Sequence, residues 1–252
     1  MDRTTSQIFI ASFFILFWLL PSQAAVDHPW SLEIDAGWVI PGYNDVQVPN
    51  PGGTRFSLSD DLGIDEKPFY RMRLSWRPGR RHGLSLLFAP LTLRASGVLQ
   101  QPVSFAEVLF PEGTGVEALY RFNSYRFTYR YLLVDRQRFE LWLGLTAKIR
   151  DAEIALEGDG LASNTTDLGF VPLLNLLVRW SWTDRLGLLL EADAAAASQG
   201  RAEDVALSLF YSLSPTVKLR AGYRLVEGGA DVEQVYNFAM INYLFAGITL
   251  SW

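Results

Sequence analysis

The sequence predicts an all-β protein, a transmembrane antiparallel up-and-down barrel of about ten strands that follows a cleaved signal peptide. Three observations predict it. After residue 25, apolar and polar residues alternate over segments of roughly ten residues, which is the period of a strand with two different faces. The connections between these segments alternate between long and short. No continuous apolar run in this part reaches the about 20 residues that a membrane-spanning helix needs.

The first 25 residues predict export from the cytoplasm. Arg3 precedes an apolar run from Ile8 to Leu20, and small residues follow up to Ala25, as in a secretory signal peptide. We therefore expect residues 1–25 to be the signal peptide, with an uncleaved anchor as the alternative, and residues 26–252 to form the barrel in the outer membrane of a Gram-negative bacterium. The chain has no cysteine, which excludes disulfides and thiolate metal sites.

The first five strands are predicted from their alternation. The third is expected to begin at His82 and to change phase at a bulge near Pro90, after which Leu91 and Leu93 face outward and Arg94 faces inward. The other four are predicted at residues 30–40, 67–77, 124–131 and 139–150.

The second half of the chain continues the pattern to give ten strands. The predicted segments are residues 170–182, 186–194, 205–213, 217–225 and 235–252. Long connections are expected on the outer side and short turns on the periplasmic side, as in outer-membrane barrels. The long ones are predicted at residues 41–66, 97–115, 157–167, 197–204 and 227–234, and residues 103–110 of the second are a candidate hairpin that extends above the membrane.

Together with the signal peptide, the final strand carries the specific resemblance. From Leu244 to Trp252, alternate residues form one apolar face that ends on an aromatic side chain. This segment resembles the last strand of bacterial outer-membrane β-barrels, where it serves as the assembly signal and closes against the first strand. The whole pattern is similar to the small OmpA, OmpX and opacity architecture. The resemblance implies that the partners are outer-membrane lipid, lipopolysaccharide and the barrel assembly machinery, and that the protein is a monomer.

The predicted inward face is strongly basic. It carries thirteen basic residues, among them Arg77, Arg94 and Lys218, and five acidic residues, a difference of 13 − 5 = +8. Because isolated buried charges are costly, these side chains need water or opposite charges. Two interpretations stay open, a salt-bridged plug and a narrow anion-favouring pore for small solutes. The residues predicted to form the lumen charge network are Glu33, Asp35, Arg71, Arg73, Arg126, Arg130, Lys148, Arg150, Arg179, Glu191, Asp193, Arg220 and Arg224.

Two further groups of residues are predicted. Carboxylates of the outer loops either form ion pairs with nearby arginines or bind Ca²⁺ or Mg²⁺ weakly; because no specific metal motif is present, no cofactor is expected. Aromatic residues at the periplasmic ends of the strands are expected to form an interfacial girdle. The outer-loop group is Arg55, Asp60, Asp61, Arg201, Glu203, Asp204, Glu227 and Asp231, and the girdle is Trp30, Trp76, Tyr131, Trp180, Trp182 and Trp252.

An enzyme acting on envelope lipid is a further alternative. Outer-membrane enzymes of similar architecture place a catalytic histidine at the outer rim. The two histidines of this chain, His28 and His82, map to the periplasmic side, so no catalytic residue is predicted. The sequence pI of about 5.1 and the inward position of the basic residues argue against a nucleic-acid-binding protein. A structural or surface-interaction role is therefore the main functional prediction.

Overall fold

The computed structural model describes residues 27–252, so the predicted signal peptide lies outside the described residues. This part of the chain is all-β, and no helix in it is long and apolar enough to cross a membrane. The strands are β1 (Trp30–Gln47), β2 (Phe56–Ser57), β3 (Lys67–Trp76), β4 (His82–Ala89), β5 (Thr92–Val98), β6 (Val103–Phe105), β7 (Val108–Phe110), β8 (Gly115–Arg136), β9 (Phe139–Gly158), β10 (Leu161–Ser181), β11 (Leu186–Ala197), β12 (Gly200–Ser212), β13 (Val217–Val232) and β14 (Val235–Ser251).

The strands form a closed antiparallel barrel. Each strand from β8 to β14 pairs with the next, β8 continues to β4 and β5, and β3 and β1 complete the circle, since β1 also pairs with β14. β4 and β5 follow one another along the same side of β8 and act as a single strand, which confirms the prediction of ten barrel strands. Four short turns, residues 77–81, 137–138, 182–185 and 213–216, lie at one end, which is the periplasmic end in barrels of this type.

The predicted bulge and change of phase at Pro90 are wrong. The pairing of Ala89 with Ser124 continues in the same register to Thr92 with Arg121, so alternate residues keep their faces. Leu91 and Leu93 are buried inside the barrel, and Arg94, which was predicted to face inward, is exposed on the outside.

The chemistry of the two faces is exchanged at this level, and this exchange explains the error. Below it, lipid surrounds the barrel, so Leu86 faces outward and Arg126 faces inward. Above it, water surrounds the barrel and the interior is apolar, so Leu93 faces inward and Arg94 outward. A face that changes from polar to apolar along one strand looks in the sequence like a slip of one residue.

Most of the predicted long outer loops are extended strands, which corrects their boundaries. β1 continues to Gln47, and β9 and β10 meet at a tight turn whose central residues, Asp159 and Gly160, have φ angles of 49° and 79°. The connection between β13 and β14 is two residues long, at positions 233 and 234. The acidic residues of these segments alternate with residues that face inward, so they face outward. Outward-facing carboxylates need water around them, so these parts of the strands lie above the membrane.

The wall has an open edge between β10 and β11. β10 begins at Leu161 but pairs with β11 only from Leu174 onward. The N–H of Ser181 donates to the carbonyl of Arg138, which directly precedes β9, so the even-numbered residues of β10 direct their N–H groups toward the open side. Pro172, at one of these positions, has no N–H, and proline is typical of strand edges that stay unpaired. Leu168 and Phe170, on this segment, are 76% and 64% exposed.

Candidate functional site: the layered interior

The interior of the barrel has three layers. The outermost, which we call the apolar cap, consists of β2, the β6–β7 hairpin and the inner faces of the strands around them. The middle, the arginine layer, holds six arginines and five carboxylates. The third layer, nearest the periplasm, is the periplasmic cavity, a space of about 190 Å³ at the end with the short turns.

The side chains of the apolar cap are buried like those of a soluble core. Phe105 and Phe110 of the hairpin are fully buried, and the ring of Phe105 meets that of Phe56 edge to face, with 6.1 Å between centroids. Hydrogen bonds hold the hairpin in the mouth: the N–H of Ala106 donates to the carbonyl of Val48 over 3.0 Å, and the Ser163 hydroxyl donates to the Ala106 carbonyl over 3.0 Å. Residues 103–110 do form the predicted hairpin, but it folds back into the mouth instead of extending above the membrane, so the cap that it completes was not predicted.

The outer half of the arginine layer centres on Asp204. Its carboxylate lies 2.6 Å from Arg224, 2.7 Å from Arg126 and 3.4 Å from Arg71. Arg126 also pairs with Asp193 at 2.8 Å, and that carboxylate accepts a hydrogen bond from the Thr146 hydroxyl over 2.8 Å. Ion pairs at these distances and this burial are charge-assisted hydrogen bonds.

The inner half centres on Glu191 and Arg220. Glu191 pairs with Arg73 and lies 2.9 Å from Arg220, 3.6 Å from Arg224 and 3.7 Å from Arg130. Two carboxylates of β1 complete it, since Glu33 lies 2.6 Å from Arg220 and Asp35 also pairs with Arg220. Because Arg224 contacts both Asp204 and Glu191, the two halves form one connected network.

The local sequence makes room for this network. Glu33 and Asp35 lie directly opposite Arg73 and Arg71 in the pairing of β1 with β3. Gly247 lies beside Asp35 on the other side of β1, and a Cβ atom there would come within 2.2 Å of the Asp35 Oδ1. A glycine at this position therefore leaves the space in which the Asp35 carboxylate meets its guanidinium.

The structure corrects one site residue, Asp204, and places Arg150, Arg179 and Lys148 at the edges of the layer. Asp204 was predicted in the outer loops, but β12 begins at Gly200, and the alternation along β12 turns this side chain inward, where it is 3% exposed. Arg150 pairs with Asp167, and Arg179 lies 3.8 Å from Glu140.

Lys148 is buried beside the arginine layer. Its Nζ lies 4.7 Å from the centroid of the Phe122 ring. Within residues 27–252 it forms no ion pair, and its ammonium group makes a cation–π contact with this ring.

The remaining outer-loop residues do not form one cluster. Arg201 lies 2.7 Å from Glu227, and the Tyr43 hydroxyl donates to the same carboxylate. The hydrogen bond from Arg201 lowers the pKa of Glu227, while burial and the bond to Glu227 raise the pKa of Tyr43 to about 12. Arg55 lies 3.8 Å from Asp45.

The four other acids of the predicted group stand apart from these pairs. Asp61 accepts a hydrogen bond from the Ser57 N–H over 2.7 Å, and Asp231 accepts one from Asn50 over 2.7 Å. Asp60 and Glu203 are exposed. In the described part of the chain, no three His, Asp or Glu side chains are grouped so as to hold a metal ion. Weak binding of Ca²⁺ or Mg²⁺ therefore stays a prediction.

The aromatic residues of the predicted girdle lie at the periplasmic end. Trp30 stacks on Trp76 with 5.7 Å between ring centroids, and Trp180 meets Trp182 edge to face at 6.2 Å. The backbones of Trp30 and Trp252 exchange two hydrogen bonds, of 3.1 and 3.0 Å, where the first and last strands close the barrel.

Tyr131, the sixth girdle residue, packs against His82 at the same end of the barrel. The two rings meet edge to face with 5.4 Å between centroids, and Nδ1 of His82 lies 2.8 Å from the Tyr129 hydroxyl. His28 lines the periplasmic cavity. Both histidines therefore lie at the periplasmic end.

Known proteins share the fold of this chain rather than its sequence. No family model and no curated protein sequence matches it. The outer-membrane protease OmpT from Escherichia coli is 10% identical over 92% of this chain and 99% of its own, with a TM-score of 0.50. An outer-membrane channel from Pseudomonas putida F1 is 10% identical over 92% and 99%, with a TM-score of 0.45. Ail of Yersinia pestis is 10% identical over 88% and 99%, with a TM-score of 0.38. The closed antiparallel barrel and the likeness to OmpT show that the chain has the fold of small outer-membrane β-barrels.

Proposed function

We propose that the protein is an integral outer-membrane barrel with a sealed interior, which holds an acidic surface outside the cell for interaction with a cationic partner. The observation that supports this most is the apolar cap above the arginine layer. A cap of buried aromatic and aliphatic side chains is what a rigid scaffold needs and what an aqueous channel lacks.

The arginine layer supports the same proposal. Each of its six guanidinium groups contacts a carboxylate, so an anion entering the layer has to compete with a charge that is already in place. Breaking one buried ion pair costs about 3–5 kcal/mol when a charge is left uncompensated. The layer therefore favours a fixed plug over the anion-favouring pore.

The outer surface has the opposite sign. Above the membrane the exposed charges are mainly carboxylates, while the exposed basic residues there are Arg55, Arg94 and Arg201. A surface of this sign attracts basic partners, and it meets the phosphates of lipopolysaccharide only through divalent cations. The exposed acids are Asp60, Asp61, Asp65, Glu66, Glu107, Glu112, Glu117, Glu157, Asp159, Asp167, Glu203, Asp231 and Glu233.

Conductance in planar bilayers tests whether the interior is sealed. The N–H of Leu99 donates to the Thr114 carbonyl and that of Gly113 to the Leu99 carbonyl, so the chain can be rejoined after residues 100–112 are deleted. We expect no steady conductance from the intact protein and small, anion-preferring channels from this deletion. Deletion of the exposed turn residues Asp159 and Gly160, which contribute nothing to the cap, is the control and leaves the barrel silent. Steady conductance by the intact protein would refute the sealed interior.

Binding of a lysine-rich peptide tests the acidic surface. We expect binding that weakens as salt increases and that falls when Glu107, Glu112 and Glu117 are all changed to glutamine. The matched control changes Asp135, at the periplasmic end of β8, and Asp184, on a periplasmic turn, to asparagine and leaves binding unaltered. If both sets of changes have the same effect, the outer surface is not the binding surface.

A further inference from the structure

The periplasmic cavity is lined by more basic than acidic side chains. Arg73, Arg130 and Arg220 form its roof and belong to the ion-paired network. Its side walls carry three further cations, Arg77, Arg179 and Lys218, from three different parts of the barrel. Arg77 directly follows β3, Arg179 lies on β10 and Lys218 lies on β13, so the closed wall brings them to one space.

These three cations share a single wall carboxylate. Glu140 lies 3.8 Å from Arg179, and its other oxygen accepts a hydrogen bond from the Trp142 indole over 3.2 Å. Within the described residues, Arg77 and Lys218 form no ion pair. The wall therefore has a formal charge of 3 − 1 = +2.

The guanidinium groups are held in place but keep bonding capacity. Arg77 lies over the ring of Trp142 at 5.2 Å and Arg179 over the ring of Phe210 at 5.1 Å, which fixes the two planes. The Nε of Arg77 is buried and has no hydrogen-bond partner among residues 27–252. A buried donor without a partner is costly, and a bound acceptor relieves that cost.

We propose that the periplasmic cavity binds a phosphate group presented from the periplasm. Two planar guanidinium forks and one ammonium match the tetrahedral oxygens of a phosphate group, as a monoester dianion or as a diester monoanion, better than a spherical monovalent ion. A cavity of about 190 Å³ has room for such a group together with several water molecules. The arginine layer and the cap close the outer side, so the ligand enters and leaves through the periplasmic opening.

Two sources present this chemistry, and the experiment separates them. A soluble phosphate compound is represented by pyrophosphate, titrated calorimetrically into the detergent-solubilised barrel. A lipid phosphate is represented by phosphatidylglycerol in nanodiscs, compared with phosphatidylcholine by the shift of the thermal melting midpoint. We expect saturable binding of pyrophosphate that weakens as sodium chloride increases. A stabilisation seen only with phosphatidylglycerol also supports the site and assigns it to lipid.

Two variants locate the site. We expect Arg77→Gln and Lys218→Gln each to weaken the observed binding by about tenfold or more, because each removes one charged donor. Arg80→Gln is the matched control, since Arg80 lies on the adjoining turn, pairs with Asp135 at 3.1 Å and does not line the cavity. Lys218→Arg, which keeps the charge, retains binding and serves if the glutamine variant does not fold.

The proposal is overturned if neither pyrophosphate nor phosphatidylglycerol has an effect. It is also overturned if the Arg80 control weakens binding as much as the cavity variants, or if both glutamine variants bind as the unmodified protein does. Folding of each variant is checked by its heat-modifiable migration in gels. None of these outcomes depends on whether the barrel conducts ions, so the phosphate site and the sealed interior are tested separately.

Discussion

Replacing Asp204 by asparagine is the sharpest test of the arginine layer. The change keeps the size of the side chain and removes one negative charge from the centre of three guanidinium groups. Arg126 and Arg224 keep other carboxylates, Asp193 at 2.8 Å and Glu191 at 3.6 Å. Among the described residues, Arg71 forms its ion pair with Asp204. In the variant the charge of Arg71 is therefore left buried and uncompensated.

The expected loss of stability follows from that uncompensated charge. Breaking a buried ion pair by removing one partner costs about 3–5 kcal/mol. We therefore expect Asp204→Asn to lower the free energy of unfolding by about 3–5 kcal/mol. Replacing Arg71 by methionine in the same protein removes the orphaned charge. The double variant should recover at least about 1 kcal/mol of that loss, because neighbouring changes in one network are not additive.

Urea unfolding of the barrel refolded in lipid vesicles measures these differences. Glu203→Gln is the matched control, because Glu203 is the adjacent residue of β12 but is exposed, and we expect a change within about 0.5 kcal/mol. A loss of less than about 1 kcal/mol for Asp204→Asn, or equal losses for the two variants, would show that the carboxylate does not hold the layer together.

Three other predictions concern the cap, the outer surface and the open edge. Phe105→Ala should destabilise the barrel by about 3–5 kcal/mol in the same assay, whereas Leu109→Ala, on the same hairpin but 61% exposed, should not. Glu227 has a lowered pKa in the folded protein, so its contribution to stability is present above the ordinary value of 4.5 and is lost as the pH falls through the folded-state pKa. The difference in melting midpoint between the unmodified protein and Glu227→Gln should therefore vanish in acid, and a difference that persists contradicts this ion pair. Amide exchange followed by NMR in micelles should be faster at Phe170, on the unpaired edge of β10, than at Val178, and equal rates would mean that the edge is covered.

The arrangement of the strands was predictable because its signal is local. A strand repeats every two residues, so the amphipathic segments gave the number of strands and the side on which the short turns lie. The same rule put Arg71, Arg126 and Arg220 inside the barrel. It failed at Leu93 and Arg94, because the rule assumes that the polar face stays on one side of the wall for the length of the strand.

The cap and the cavity were less visible in the sequence. Phe105 and Phe110 lie in a segment predicted either as a loop or as a hairpin above the membrane, and nothing in the linear pattern shows that the hairpin folds back into the mouth. Arg77 and Lys218 were predicted to face inward, but their common cavity depends on strands that are far apart in the chain. Within the described residues, neither the cap nor the cavity is built from residues that lie close together in the sequence. A search for local motifs therefore detects neither.

The sequence by itself determined that this chain forms a barrel, how many strands the barrel has and that its lumen is charged, since each follows from the alternation within single strands. Only the tertiary structure decided which charges meet. Arg71 and Asp204 are separated by 133 residues, and Arg220 and Asp35 by 185. Such pairs depend on the closure and stagger of the whole wall, which bring opposite strands to a common level. The same closure turned Asp204 from an expected loop residue into the carboxylate on which three arginines converge.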